Sequence, residues 1–194
     1  MVLKPDREGY TRAAQLLRGG GVIAFPTDTV YGLGAAADDD LATRRIYAIK
    51  NRPAGMPLIL MVAARSQLEG WVHIDARAEK LIERWWPGPL TVILHASGGG
   101  TLGVRVPNHE VTLELLRASG PLMTTSANLH GDDPAMTADE AAKLPGLTAV
   151  LDGGRAPGGT PSTVVDLTGP ELHILREGAI PVADVLGPPP PRAG

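Results

Sequence analysis

Residues 22–34 read VIAFPTDTVYGLG and join a short apolar run to a segment rich in hydroxyl groups and glycine. The apolar part, residues 22–25, is typical of a buried strand, and Pro26 marks its end because proline cannot donate to a strand ladder. Residues 27–34 carry the residue types of a loop. The sequence therefore predicts a strand that leads into a functional loop, since binding groups concentrate in loops held by a rigid scaffold.

Helical patterns surround this strand. Apolar residues at helical spacing and capping residues predict helices at 9–18, 41–50, 78–85 and 109–118, with a further one opening at Thr137. The first helix stops at the glycine run 19–21, and the acidic start of the second, residues 38–40, suits the positive end of a helix dipole. Lys50 is expected at the C-terminus of that second helix.

Short apolar runs predict the other strands. They lie at 57–62, 90–95, 103–106, 122–125, 149–151, 163–167 and 172–176. Helices separate only some of these strands, and glycine-rich turns separate the rest. The fold class is therefore α/β or α+β: one domain over residues 1–186, with a twisted sheet of mixed parallel and antiparallel strands and flanking helices. The segment 187–194, GPPPPRAG, is expected to be a disordered tail.

Composition limits the class of function. The chain has 194 residues, 43% of them hydrophobic, and a formal charge of −3, so it lacks the basic excess of a dedicated nucleic-acid binder. The sequence contains no cysteine, which removes disulfides, thiolate metal sites and cysteine nucleophiles. It shows no apolar run near the ~20 residues of a membrane span and no signal-peptide core. We expect a cytoplasmic protein without membrane contact.

Common catalytic and nucleotide-binding motifs are absent from the sequence. It lacks the P-loop, GxGxxG and HExxH patterns, and Ser126 has no GxSxG context. The histidines show no recognised ligand spacing, so we expect no metal bound by side chains. Any anion site must therefore be built from residues that are separate in the sequence.

Four cations fall beside predicted strand ends and glycine-rich loops, namely Lys50, Arg52, Arg105 and Arg176. In an acidic protein this placement favours a concave cationic cavity that binds a polyphosphate, with arginine binding oxygens in pairs and lysine acting as a point charge. Four ordinary surface cations are the alternative, and spacing alone leaves it open.

Other polar segments near these strand ends have more than one interpretation each. The hydroxyls and amide of residues 124–128 suit contacts with phosphate or ribose, or they cap the next segment. The glycine-rich stretch 153–163 forms a lid, a nest of backbone N–H groups or a plain connection. Asp28 orients a substrate hydroxyl, helps to hold Mg²⁺ or caps the turn that contains it.

Taken together, seven ordered motifs resemble the YrdC/TsaC family of threonylcarbamoyl-AMP synthases over residues 9–183. The motifs are PTDTVYGLG (26–34), KNRP with PL (50–58), WPGPLT (86–91), RVP (105–107), TSAN (125–128), STVVD (162–166) and LREGAI (175–180). The resemblance implies a YrdC-like twisted mixed sheet that encloses a deep, positively lined cavity. It also implies the short, single-domain form of the family.

The resemblance implies the following roles. The catalytic residues would be Lys50 and Arg52. Threonine would be bound by Thr29, Arg105, Thr124 and Ser162. ATP would be bound by Arg52, Thr101, Ser126, Asn128 and Arg176.

By resemblance, the chain would be a nucleotidyltransferase that condenses L-threonine, bicarbonate or CO2 and ATP, the last bound with Mg²⁺, into threonylcarbamoyl-AMP. The product would pass to the transferase complex that modifies tRNA to threonylcarbamoyladenosine. The competing hypotheses are an RNA-binding module of the same fold with weak affinity for tRNA, a diverged paralogue without synthase activity, and a carbamoyl-transfer accessory module.

Two positions depart from many relatives of the family. Met56 and Met61 stand where those relatives carry asparagine and histidine. A thioether cannot replace the hydrogen bonds of an amide or an imidazole, so we expect substrate contacts at these two points to differ.

Overall fold

The structure, a computed structural model, describes residues 1–51, 53 and 55–187, which form a mixed sheet with helices on both faces. The strands are β1 (Val2–Leu3), β2 (Ile23–Phe25), β3 (Gly32–Ala36), β4 (Ile59–Met61), β5 (Leu90–His95), β6 (Thr101–Arg105), β7 (Leu122–Ser126), β8 (Ala149–Leu151), β9 (Thr163–Asp166) and β10 (His173–Arg176). Their order is β1-β8-β2-β3-β7-β4-β6-β5-β9-β10. The sheet contains both parallel and antiparallel pairs, such as β4 beside β6 and β5 beside β6.

Four of the six α-helices in the described residues begin at a side-chain cap. The six are α1 (Arg7–Arg18), α2 (Asp40–Lys50), α3 (Ala76–Trp85), α4 (Glu110–Ser119), α5 (Ala138–Ala141) and α6 (Val182–Leu186), with a short 3-10 helix at Arg65–Leu68. The capped helices are α1, α2, α3 and α5. Asp6, Asp39 and Asp75 each accept a hydrogen bond from the first turn of the helix that follows. Helix α2 ends at Lys50 because Asn51 adopts a left-handed conformation with φ 48°. Within the described residues, no helix has the length and apolar character needed to cross a bilayer.

One face of the sheet carries a continuous core. Leu33 and Ile46 belong to the part beneath α2 and α5, and Leu60 and Ile82 belong to the part beneath α3. Met123 on β7 contacts both parts, so the two share one face.

The opposite face is covered over half of its width. Leu17 of α1 and Leu115 of α4 pack there against Phe25 and Leu122. The strands β4, β6, β5 and β9 continue beyond these helices. Their side chains on this face border the cavity described below.

The structure confirms the predicted mixed sheet, but the prediction of a loop throughout residues 27–34 was wrong. Strand β3 begins at Gly32 and pairs with β2. Its glycines make room for an aromatic ring: a Cβ at Gly32 would lie 3.1 Å from Phe25 Cε2, and one at Gly34 would lie 2.8 Å from Phe25 Cε1. Glycine thus marks a close approach within a strand here rather than a loop. No pattern in the sequence predicted β1 or α6. The predicted tail, from residue 188 onward, lies outside the described residues.

We expect Gly34→Ala to lower the free energy of unfolding by about 1–3 kcal/mol, because the added methyl group overpacks the Phe25 ring. Chemical denaturation followed by circular dichroism measures the change. Gly98→Ala is the matched control, since no atom lies within 4 Å of a Cβ at that position. Equal stability of Gly34→Ala and wild type would contradict the proposed packing role.

Candidate active site

A cavity of about 440 Å³ lies on the half of the sheet that α1 and α4 leave uncovered. It follows β6, whose alternate residues face it: Thr101 is exposed at its mouth, Gly103 lies midway and Arg105 is 4% exposed at its inner end. Leu102 and Val104 alternate with them and pack into the core on the other face. The volume is within the usual range for small-molecule sites.

The cavity brings together the candidate residues that the sequence singled out. Those that line it are Thr29, Lys50, Thr101, Arg105, Thr124, Ser126, Asn128, Ser162 and Arg176. Arg52 lies outside the described residues. Three of the four predicted cations therefore meet at one cavity, and the individual roles in binding and catalysis stay predictions.

Arg105 is fixed at the inner end by three hydrogen bonds. Its Nε donates to the carbonyl of Gly88 at 3.1 Å, Nη1 donates to Thr29 Oγ1 at 3.3 Å and Nη2 donates to Asp28 Oδ1 at 2.5 Å. The side chains of this ion pair are only 5% and 10% exposed. Burial lowers the pKa of Arg105, and the neighbouring carboxylate opposes that shift. Asp28 therefore neutralises much of the charge of Arg105, one of the four cations predicted to bind a polyphosphate.

Three roles were predicted for Asp28, and the prediction that it caps its own turn was wrong. Thr27 forms that cap: its hydroxyl accepts from the backbone N–H groups of Thr29 and Val30 and donates to the Val30 carbonyl at 2.7 Å. The Asp28 carboxylate turns toward Arg105 instead. Its second oxygen, Oδ2, is buried without a hydrogen-bond partner among the described residues.

Lys50 ties the end of α2 to the segment that follows β7. Its ammonium group donates to the carbonyls of Ser126 at 2.6 Å and Asn128 at 2.7 Å, and to Asn128 Oδ1 at 3.0 Å. Ser126 Oγ donates to the same Oδ1 at 2.5 Å. Because an ammonium group has three hydrogens, these bonds hold Lys50, 2% exposed, as a fixed positive charge in the cavity wall.

Arg176 reaches the cavity from the edge strand β10. Its Nη2 donates to the carbonyl and to Oγ of Ser162 at 2.8 and 3.2 Å, and its Nε donates to the same carbonyl. Partial burial lowers the pKa of Arg176. Ser162 in turn shares a hydrogen bond of 2.8 Å with the buried Thr91. The sequence did not single out Thr91, although a threonine between Leu90 and Val92 in a buried strand was a usable signal.

The glycine-rich stretch 153–163 is anchored to the turn that follows β2. Gly159 N donates to the Thr29 carbonyl at 2.7 Å, and Tyr31 Oη donates to the Gly154 carbonyl at 2.7 Å. Burial raises the pKa of Tyr31 to about 12. A Cβ at Gly158 would lie 2.7 Å from the Asp28 carbonyl, so only glycine permits this approach. The stretch thus packs on the Thr29 end of the cavity.

The two methionines occupy different parts of the cavity. Met61 is 4% exposed and also packs in the core beneath α1 and α4, whereas Met56 is 37% exposed. Ile59 and Ile93 extend the apolar floor between the polar walls. His130 also lines the cavity. No role was predicted for it, because the histidines show no metal-binding spacing.

Within residues 1–51, 53 and 55–187, no three histidine, aspartate or glutamate side chains stand close enough to hold a metal ion.

Comparison with known proteins gives consistent matches over most of the chain. The family model Sua5/YciO/YrdC, whose description is "Telomere recombination", matches residues 15–178. A threonylcarbamoyl-AMP synthase of Pyrococcus abyssi is 40% identical over 186 residues, which cover 89% of this chain and 55% of that protein. A threonylcarbamoyl-AMP synthase of Chromohalobacter salexigens is 37% identical over 167 residues, which cover 80% of this chain and 90% of that protein.

A similar solved structure is that of P. abyssi Sua5 complexed with L-threonine. It superimposes with a TM-score of 0.91 at 37% identity, covering 96% of this chain and 61% of that protein. The chain therefore spans little more than half the length of its Pyrococcus relative, and nearly the full length of the Chromohalobacter one.

Proposed function

The chain belongs to the Sua5/YciO/YrdC family, and we propose that it is a threonylcarbamoyl-AMP synthase acting on L-threonine, bicarbonate or CO2, and ATP. The observation that carries the proposal is the single cavity lined by Lys50, Arg105 and Arg176 together with the hydroxyls of residues 124–126. Cations, hydroxyls and an apolar floor in one cavity suit an amino acid beside a nucleotide.

The proposed reaction has two bond-forming steps. The amine of threonine attacks the carbon of CO2 and loses a proton, which gives a carbamate; if bicarbonate is the source, water is also released. A carbamate oxygen then attacks the α-phosphorus of ATP, and the bond to the β-phosphate breaks to release pyrophosphate. No nucleophile of the enzyme is needed, so the residues act by orienting the substrates and compensating charge.

We place threonine at the inner end of the cavity. Arg105 uses three of its five N–H groups in the bonds to Gly88, Thr29 and Asp28, which leaves donors for a carboxylate. Thr29 and Ser162 supply hydroxyls near the same end. Thr124 lies level with Gly103, midway along the cavity, because both pair with Ile59. The Asp28–Arg105 pair brings little net charge, which suits a zwitterion better than a triphosphate.

We place the nucleotide toward the mouth. Lys50 holds Ser126 and Asn128 in the wall, and Thr101 and Arg176 lie along the same cavity. The fixed ammonium charge favours negative charge that develops on the phosphates. Arg52 is assigned to the same role through the family resemblance.

Magnesium is proposed to enter with ATP as part of the substrate. The carboxylate of Asp28 is engaged by Arg105, and the described residues offer no other cluster of carboxylates or histidines at the cavity. When bound to the triphosphate, Mg²⁺ neutralises charge on the phosphate oxygens.

Synthesis is favoured over the competing RNA-binding hypothesis by the burial of the cations. Lys50 and Arg105 are 2% and 4% exposed, so neither reaches the backbone of a folded RNA. The net charge of −3 also gives no general attraction to nucleic acid. We further propose a cytoplasmic location and transfer of the product to the tRNA-modifying transferase complex.

The decisive assay mixes the protein with isotopically labelled threonine, bicarbonate, MgCl2 and ATP and searches for threonylcarbamoyl-AMP by mass spectrometry. The expected product requires every substrate and appears with an equal amount of pyrophosphate. Absence of product, combined with salt-sensitive binding of RNA, would favour the RNA-binding module. Absence of both would favour a diverged paralogue.

A further inference from the structure

Gly103 contributes no side chain to the cavity floor between Ile59 and Ile93. Gly103 lies on β6 between Thr101 and Arg105, about 7 Å along the strand from each. All three residues face the cavity. Gly103 therefore lies between the proposed nucleotide and threonine positions.

The protein itself does not require glycine at this point. A Cβ on Gly103 would meet Thr91 Cγ2 at 3.5 Å, Ile59 Cγ1 at 3.7 Å and Ile93 Cγ1 at 3.8 Å, which are ordinary contacts. Its φ lies outside the left-handed region, in which glycine is favoured. Glycine in a strand interior nevertheless weakens the strand relative to alanine. Packing and backbone conformation thus leave this glycine unexplained, in contrast to Gly34.

We propose that Gly103 keeps open the passage in which the carbamate of threonine meets the α-phosphate of ATP. The inference rests on the proposed function and adds a residue that determines how closely the two substrates approach. Any side chain at position 103 would extend from the floor between the inner and outer parts of the cavity. It would separate the reacting atoms while leaving Arg105 and Lys50 in place.

The test is a graded series at this position, Gly103→Ala and Gly103→Val. We expect product formation to fall about tenfold for alanine and about 100-fold for valine, because a displacement of about 1 Å between reacting groups costs on this order. The loss should lie in kcat. Isothermal titration calorimetry should still detect threonine binding to Gly103→Val, since the inner end is unchanged.

Stability measurements separate this role from a structural one. Both variants should unfold at the wild-type temperature or above it, because alanine and valine suit a strand better than glycine. Gly98→Val, on the turn between β5 and β6 with no atom within 4 Å of its Cβ, is the control and should keep full activity.

Each remaining outcome overturns a specific statement. Wild-type rates in Gly103→Val would overturn this inference alone, and so would a loss of activity that follows a loss of stability. A wild-type chain that forms no product would overturn the proposed function and this inference with it.

Discussion

Lys50→Ala is expected to lower the rate of threonylcarbamoyl-AMP formation by about two to three orders of magnitude. The substitution removes a positive charge that the structure holds in the cavity wall with 2% exposure. It also leaves the carbonyls of Ser126 and Asn128 without the donor that now satisfies them. Both effects act on the wall to which we assign the phosphates.

The same variant should be less stable by about 2–4 kcal/mol, because buried acceptors lose a charged donor. Activity must therefore be measured well below the unfolding temperature of the variant and expressed per folded molecule. Lys50→Met keeps the side-chain volume and should lose activity to a similar extent. Lys80→Ala, on the exposed surface of α3, is the matched control and should leave rate and stability unchanged.

Near-normal turnover in Lys50→Met would exclude a role of this charge in catalysis. Arg52→Ala is expected to cause a loss of similar size. That expectation rests on the family resemblance, since Arg52 lies outside the described residues.

Strands and helices were predictable where residues close together in the sequence determine them. The strand Ile23–Phe25 and the helix that ends at Lys50 follow from an apolar run closed by proline and from capping residues. The convergence of Lys50, Arg105 and Arg176 was one of two interpretations, because each lies at or beside the end of a recognisable element but spacing alone left surface positions open. The structure places all three at the cavity.

Contacts between distant parts of the chain were not predictable in this way. Asp28 and Arg105 are 77 positions apart, and no local pattern indicates that they pair. Strand β3 was missed because Gly32 and Gly34 resemble loop residues until the Phe25 ring is known to lie against them. A role for Gly103 can be inferred only once the neighbouring strands are known to form a cavity above it.

Asp28→Ala should destabilise the protein by about 3–5 kcal/mol, because it leaves a buried guanidinium group without its counter-charge. Arg105 is 4% exposed, so water cannot fully replace the carboxylate. Asp28→Asn keeps an oxygen acceptor for Nη2 and should cost less. Urea denaturation of these variants measures the difference.

A double-mutant cycle separates the interaction energy of Asp28 and Arg105 from the effect of losing either side chain alone. Asp28→Ala and Arg105→Met each leave one charge buried alone, whereas the double variant leaves neither, so its loss of stability should be smaller than the sum of the single losses. Additive losses would show that the two side chains do not stabilise each other.

Threonine binding, measured on the same variants, tests the function proposed for this pair. If Arg105 holds the carboxylate of threonine, Arg105→Met and the double variant should both lose binding in calorimetry, even where the double variant recovers stability. Asp28→Asn should keep detectable but weaker binding, because the guanidinium remains while its orientation is less constrained. Wild-type affinity in the double variant would remove threonine from the inner end of the cavity. The placement of the nucleotide toward Thr101, and with it the meeting point above Gly103, would then have to be reversed.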